Sequence, residues 1–410
     1  MTRPLLIAGA HIVDPATGHD ATGDILIRGR EIAALGSFDA PDDAARIEGR
    51  GLVAAPGLID SGVFRSDAAA CLAGGITRVL LMPDQKPPLD DPALVERAMR
   101  IGKPHVWVHP LGAATQGLAG TELAEIGLMK EAGAAGVATG RRGIPDPATM
   151  YRLLQYAAGF DLVTVSHCED ASLLGEASAT AGETATRLGL PAAPAIAESI
   201  AVARDVRLAE AAGARLHIRV VSTAESVDIV RRAKARGTRI TCGTTPAHAL
   251  LNDGEMTGYR TFARLSPPLR SDEDRRAVLA GLADGTIDTV SSAHDPRTQE
   301  EKRLPFAAAA PGMAGVETLL PLTLMSLGES GDAMRAVSLL STTPARLFGL
   351  PGGTLAPGAP ADIVLFDPNR AWRIDASAFG HPADNTPFDR LPVTGRVAAT
   401  IKGGEVVFQR

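Results

Sequence analysis

Cysteine is scarce in this chain of 410 residues: Cys71, Cys168 and Cys242 are too few and too far apart for a disulfide framework or a Cys-x-x-Cys metal site. That scarcity fits a reducing compartment. Aromatic residues make up only 4%, so alanine-rich helices must do much of the packing. Basic charge is not in surplus: the net charge is −6 and the pI about 5.9, which leaves no cationic face for nucleic acid or anionic lipid. No apolar run approaches the roughly eighteen residues of a membrane span, and Leu5–Ala10 is too short for a secretory signal. A cytoplasmic protein is the expectation, with neither nucleic acid nor membrane among its partners.

What remains is an ordinary globular composition, 45% hydrophobic and 21% charged, long enough for one large core and a smaller module. Residues 5–14 and 24–36 alternate as antiparallel strands do, around the turn-like Pro15-Ala16-Thr17-Gly18. Near Val53 the rhythm changes. Strand-length apolar runs recur at 52–60, 76–83, 105–110, 135–139, 162–168, 215–222, 239–245 and 286–294. Helical stretches follow them, at 92–101, 122–132, 147–158, 195–212, 224–235 and 272–283, several opened by a capping residue or an early Pro. Eight such units predict an α/β fold, a (β/α)₈ TIM barrel over 55–345. The doubly wound alternative lacks its Gly-x-Gly-x-x-Gly phosphate turn. Beyond Leu350 the β style returns, with strands at 361–366, 395–401 and 405–409 and a hairpin turn at Lys402-Gly403-Gly404. The termini, 1–54 and 346–410, are therefore expected to build one composite β domain beside the barrel.

In such a barrel the chemistry belongs at the C-terminal ends of the strands. Those ends carry Asp60, Gly62, Phe64 and Arg65 on strand one and Met82-Pro83-Asp84-Gln85 on strand two. Strand four leads to Arg141-Arg142-Gly143 and strand five to Ser166-His167-Cys168-Glu169-Asp170. Strand six gives His217 through Thr223, and strand eight Ser292-Ala293-His294-Asp295-Pro296-Arg297.

With these stretches in order, the chain resembles the dihydroorotases of the cyclic amidohydrolase group over nearly its full length. Pro56-Gly57-Leu58-Ile59-Asp60, Ala73-Gly74-Gly75-Ile76-Thr77, Val221-Ser222-Thr223 and Ser266-Pro267-Pro268-Leu269-Arg270-Ser271 carry the resemblance, as do Gly312–Thr318 and Ala361–Pro368. The resemblance implies two metal-binding histidines after Ile59-Asp60, but Gly62 and Phe64 stand there, and only nine residues separate Phe64 from Gly74. The family's acid after strand four falls at Arg141-Arg142, its second histidine on strand six at Val220, and its general-base aspartate at Ala293. His167 is the one clear ligand position kept.

Three or so protein ligands and an open position are what a catalytic zinc needs, so no metal and no catalytic residue are expected here. Asp60, Gly62, Phe64, Arg141, Arg142, His167, Val220 and Ala293 are expected to mark a vestigial site. Arg65, Asp84, Ser266 and His294 would be remnants of a substrate pocket, Arg65 arriving one residue early for the family's carboxylate contact. Arg141 and Arg142 read first as a solvated loop pair; the sharper alternative is that one of them fills the vacated metal space and neutralises Asp60 or Asp295, since buried carboxylates need a partner. The resemblance implies a non-catalytic dihydroorotase-like subunit that assembles with aspartate carbamoyltransferase in pyrimidine biosynthesis, in a homo-oligomer. Its alternative is an active cyclic amidohydrolase with zinc in a remodelled site, drawing on His167, His294 and Asp295. A third reading, an anion sensor using the emptied pocket, has no ligand selected by the residues.

Overall fold

The computed structural model describes residues 3–102, 105–328, 332–380 and 384–410. Eight parallel strands form the central sheet: β1 Leu58–Val63, β2 Ile76–Leu81, β3 Trp107–Ala113, β4 Gly136–Ala138, β5 Val163–Ser166, β6 Arg215–Ile218, β7 Ile240–Thr244 and β8 Thr289–Val290. They lie side by side in chain order. The two edges meet at the top, where Phe64 N–H donates to the His294 carbonyl at 2.9 Å and Ser292 N–H to Asp60 Oδ1 at 3.1 Å. This is the (β/α)₈ barrel that the rhythm predicts.

Helices Pro147–Ala158, Ala224–Ala235 and Asp272–Ala283 fall where expected because their starts are locally encoded. Asp146, Thr223 and Ser271 each accept a first-turn backbone N–H, at 2.8, 3.2 and 3.1 Å. The helix expected from residue 122 begins only at Ile126, since Leu123 is drawn into a β-bridge with Thr115.

The run at 52–60 divides at Gly57. Val53–Pro56 joins the terminal sheet and Leu58–Val63 starts the barrel. That second sheet also holds Leu5–Asp14, His19–Arg28, Glu31–Gly36, Ala45–Glu48, Ile363–Arg373, Pro392–Lys402 and Glu405–Gln409. Both chain ends thus pair across Val53–Pro56, which runs parallel to Leu5–Asp14 and antiparallel to Ile363–Arg373. Side chains alternate across it: Val364 and Phe366 pack on the barrel core, while Ile363 and Leu365 join Ile7, Ile25 and Ile401 on the opposite face. The hairpin turn forms with both Gly403 and Gly404 at positive φ, 56° and 83°, the geometry a tight two-residue turn requires.

Much of the barrel interior is apolar. Leu80, Leu111, Ala138, Val163 and Val165 fill it. Phe348, on the helix Thr343–Phe348, closes the end where the strands begin, and Phe64, just past the last residue of β1, closes the end where they finish.

Candidate functional site

Above Phe64 lies the principal cavity of the barrel mouth, about 310 Å³, walled by Phe64, Arg141, Arg142, Arg219, Arg264, Ser266, Ala293 and Asp295 together with parts of the loops at 174–177 and 307–313. Its floor is Phe64, whose carbonyl is fixed by the Gln85 amide at 3.1 Å. Two guanidiniums attend the ring: Arg141 at 3.9 Å from the ring centroid and Arg219 at 5.3 Å, both within cation–π reach. Where the resemblance places metal ligands, this chain therefore has an aromatic ring with two guanidiniums close to it.

Arg141 reaches this position from the turn after β4. Gly140 there has φ 82°, and a Cβ on it would lie 2.9 Å from Asp84 Oδ1. Without that Cβ, the Arg141 backbone N–H donates to the same carboxylate at 2.9 Å. The Arg141 side chain then crosses the mouth and pairs with Asp295 Oδ2, the oxygen that Arg297 also holds, at 2.6 Å. Burial pushes the Asp84 carboxyl up, against the pull of Arg141 and Arg219. Arg142 stays exposed on the rim. Of the two acids considered for neutralisation, Asp295 receives the arginine. Asp60 instead accepts from Ser292 and Gly62, wholly buried, and burial raises its pKa.

The sequence does not single out the cation that β6 supplies. Motif spacing places the site position of this strand at Val220, but Val220 is buried away from the cavity and the side chain that reaches the mouth is Arg219. Arg219 Nη2 donates to His167 Nδ1 at 2.9 Å, and His167 Nε2 faces Glu169 Oε2 at 3.1 Å. A guanidinium only donates, so Nδ1 accepts and Nε2 carries the proton towards Glu169. Both nitrogens of His167 are thereby engaged. Burial pushes the Arg219 pKa down to about 10, with Asp84 pulling it up and neighbouring Arg141 adding to the fall.

Glu169 opens a buried network. Arg270 donates to Glu169 Oε1 at 3.0 Å, Glu198 Oε2 at 3.2 Å, Ser222 Oγ at 2.9 Å and Thr180 Oγ1 at 3.0 Å. Glu198 also accepts the backbone N–H groups of Ser222 and Thr223, at 2.8 and 3.0 Å. Two of the stretches that carry the family resemblance, Val221-Ser222-Thr223 and Ser266-Pro267-Pro268-Leu269-Arg270-Ser271, thus meet Glu169 from the end of strand five in one charge cluster. Burial alone would raise Glu169, but the His167 hydrogen bond and Arg270 leave it below the usual glutamate range.

The other candidates lie apart. Gly62 faces Ser291 with no side chain of its own. Arg65 leaves the mouth, half-exposed and paired with Asp67 at 3.0 Å. His294 is fixed between Asp67 Oδ2, 2.9 Å from its Nε2, and the Gly315 N–H, 3.1 Å from its Nδ1. His167, His294 and Asp295, the cluster that a remodelled metal site would need, each have separate partners. His217 points into the lower barrel against Phe348, bonded to Thr241 at 2.9 Å. His248 is held by Thr245 and the Pro267 carbonyl at 2.8 and 3.0 Å. Burial pushes the Cys168 thiol well above its usual value, and Asp205 adds to it, so no thiolate nucleophile is available. Ala293, at the expected general-base position, lines the cavity with φ 48°, a left-handed conformation uncommon outside glycine.

The Amidohydrolase family profile matches residues 56–407. The chain belongs to the amidohydrolase family. Within it, the chain is 40% identical over 421 residues to the dihydroorotase of Geobacter sp. (strain M21), covering 99% of both proteins. It is likewise 40% identical over 420 residues to the dihydroorotase of Pelotomaculum thermopropionicum, covering 99% of this chain and 98% of that one. Among solved structures, the L-hydantoinase (dihydropyrimidinase) from Arthrobacter aurescens superimposes with a TM-score of 0.87 at 24% identity, covering 100% of this chain and 96% of the other. The dihydropyrimidinase from Brevibacillus agri gives 0.86 at 22%, covering 99% and 95%. These two likenesses show the fold. As a dihydroorotase-like amidohydrolase-family member, the chain can be tested for fit to the metals expected in such a barrel. Among the described residues no group of three or more His, Cys, Asp or Glu is placed to hold a metal ion. Arg141, Arg219 and Arg264 at the mouth repel a dication, its acids Asp295 and Glu169 are already paired with arginines, and both ring nitrogens of His167 and of His248 are engaged. The residues do not fit a metal.

Proposed function

We propose that this chain is a dihydroorotase homologue of pyrimidine metabolism whose barrel mouth no longer assembles a metal-activated nucleophile, and that it serves as a structural partner of aspartate carbamoyltransferase. The observation that carries the first half is the Arg141–Phe64–Arg219 arrangement. It puts apolar surface and fixed positive charge where a zinc hydroxide would need anionic or neutral donors. The second half follows from the resemblance: a fold kept intact around an altered site points to selection on surface and shape, since function resides in the site and not in the fold.

A second reading, an active dihydroorotase with a remodelled site, is favoured by the relatives that bear that name at 40% identity over 99% of the chain. It would have to draw on Asp295 or Glu169, both already tied to arginines.

Elemental analysis and a dihydroorotate turnover assay on one purified sample separate the two. Less than a tenth of an equivalent of metal and no turnover above buffer support the proposal. Turnover that survives chelation supports the second reading, and stoichiometric metal with turnover overturns the first. The partnership is checked by co-purifying the chain with the transferase of its own host. Failure to co-elute, with no gain in the transferase's activity or stability, removes that role.

A further inference from the structure

The net charge of −6 hides one local excess of cations. At the end of the barrel opposite the mouth, where the strands begin, Arg215, Arg239 and Arg346 line a cleft of about 250 Å³, with Leu216 and Leu347 between them. Arg215 opens β6, Arg239 immediately precedes β7, and Arg346 lies on the helix Thr343–Phe348 that closes this end. Asp161, in the turn before β5, holds two of the three. Its Oδ1 accepts from Arg239 Nη2 at 2.7 Å, and its carbonyl accepts from Arg215 Nη1 at 3.0 Å. Arg215 Nη2 also donates to the Leu347 carbonyl. These two guanidiniums are therefore fixed before any ligand arrives. Arg346 is exposed and makes no hydrogen bond or ion pair among the described residues. Asp288, the one acid on the cleft wall among the described residues, is engaged by Lys234 at 2.6 Å and by the Cys242 N–H at 2.8 Å. Four cations (Arg215, Arg239, Arg346 and Lys234) thus face two carboxylates (Asp161 and Asp288), an excess of two. None of the three arginines is buried, so a ligand can reach them.

We infer that this cleft is a binding site for a phosphoryl group, carried by inorganic phosphate or by a small phosphate ester. Like charges gathered in one place repel until an anion joins them. A phosphoryl group carries nearly two negative charges near pH 7 and three strong acceptor oxygens, enough to engage several guanidinium forks at once. A carboxylate has one charge and two oxygens, and one or two forks saturate it. The cleft is smaller than the usual ligand pocket of about 300–1,000 Å³, which selects a small anion. Catalytic sites of such barrels lie at the opposite end, so the occupant is an effector and not a substrate. It joins β6, the start of β7 and the closing helix, three elements that Asp161 and Leu347 already bring together. The inference goes beyond the proposed function and holds whether or not the mouth is catalytic.

The probes are inorganic phosphate and glycerol 3-phosphate, titrated calorimetrically into the full chain at constant ionic strength, with acetate as the comparison anion. Saturable binding of at least one phosphate probe is expected, about tenfold or more tighter than acetate, with a rise in the thermal unfolding midpoint as the site fills. Arg346→Gln and Arg239→Gln should each weaken it by about tenfold, the loss of one charge-assisted contact. Arg142→Gln, at the rim of the opposite mouth, should leave it unchanged. Tighter binding of the ester assigns the site to a phosphate ester, and equal or tighter binding of the free ion assigns it to phosphate itself. Circular dichroism shows whether Arg239→Gln is folded; if it is not, the exposed Arg346 variant decides alone. No saturable phosphate binding, acetate bound as tightly, or parental affinity in Arg346→Gln overturns the inference. Loss of binding in Arg142→Gln also overturns it, because the anion would then sit in the mouth.

Discussion

Arg219 Nη2 lies 2.9 Å from His167 Nδ1, so the histidine at which the resemblance places a metal ligand is bonded by a cation. Glu169 takes the other nitrogen. Zinc would have to displace one of these bonds and then accept a guanidinium as neighbour. Added zinc, or prolonged treatment with a chelator, is therefore expected to leave the thermal unfolding midpoint unchanged, since a ligand that binds only the folded state must raise it. A chelator-induced fall of several degrees would contradict this account of His167.

Arg270 donates to four side chains in a pocket where both of its acids are buried. Removing one partner of a buried ionic cluster leaves the rest uncompensated, which costs about 3–5 kcal/mol. Arg270→Met should lower stability by that order. Arg270→Lys should recover little, because a single ammonium cannot reach Ser222, Thr180, Glu169 and Glu198 with the geometry of the fork. Urea unfolding with an unchanged slope is the measurement. A loss under about 1 kcal/mol in the Met variant, the size of an ordinary surface substitution, would show the cluster to be dispensable.

Acid should destabilise the fold through its buried histidines. Burial lowers the pKa of His217 to about 3, with Lys234 and Arg219 contributing, and that of His248 to about 4. Burial and Arg78 take His109 to about 4. Each protonates near 6.5 in the unfolded chain. Between pH 6.5 and about 4 the unfolded state binds these protons and the folded state does not. Stability is therefore lost as pH falls through this window, by about 1.4 kcal/mol per pH unit for each histidine. His217→Gln should flatten the dependence of the urea midpoint on pH between about 6.5 and 4.5, and a slope equal to that of the parent would refute the assignment.

Ala293 holds a left-handed backbone conformation, φ 48°, which costs a residue with a Cβ roughly 1–2 kcal/mol. Ala293→Gly relieves it, less the backbone freedom that glycine loses on folding, for a net gain of about 0.5–1 kcal/mol. Differential scanning calorimetry should record a small rise in midpoint. A fall would mean that the methyl group's contacts outweigh the strain.

The barrel is readable from the sequence because its rhythm is local: apolar strand, capped helix, repeated. Where tertiary contacts override that rhythm, pattern and structure part. The apolar run at 286–294 yields only the two-residue strand Thr289–Val290, since its later residues turn away to build the mouth through Ser292 and His294. In the site, Arg141 is legible because it replaces an acid in a known place. Arg219 is not, because a motif comparison attends to Val220 while the side chain of the preceding residue is the one that enters the mouth. Nothing in the letters His217-Ile218-Arg219-Val220 says which of them will be drawn to His167. The Arg270 cluster does carry a signal in the sequence: Glu169 and Arg270 each stand inside a motif stretch, and charge inside apolar motifs asks for a partner.

Phe64 joins the apolar filling of the barrel to the floor of the mouth. In a catalytic barrel the mouth is where stability is surrendered for reactivity, and substitutions there are expected to change rates more than folding. Here the same ground has been annexed by the core. Truncating Phe64 would be felt first as a softer protein, and a mutational survey scored on heat tolerance would draw the outline of the barrel mouth.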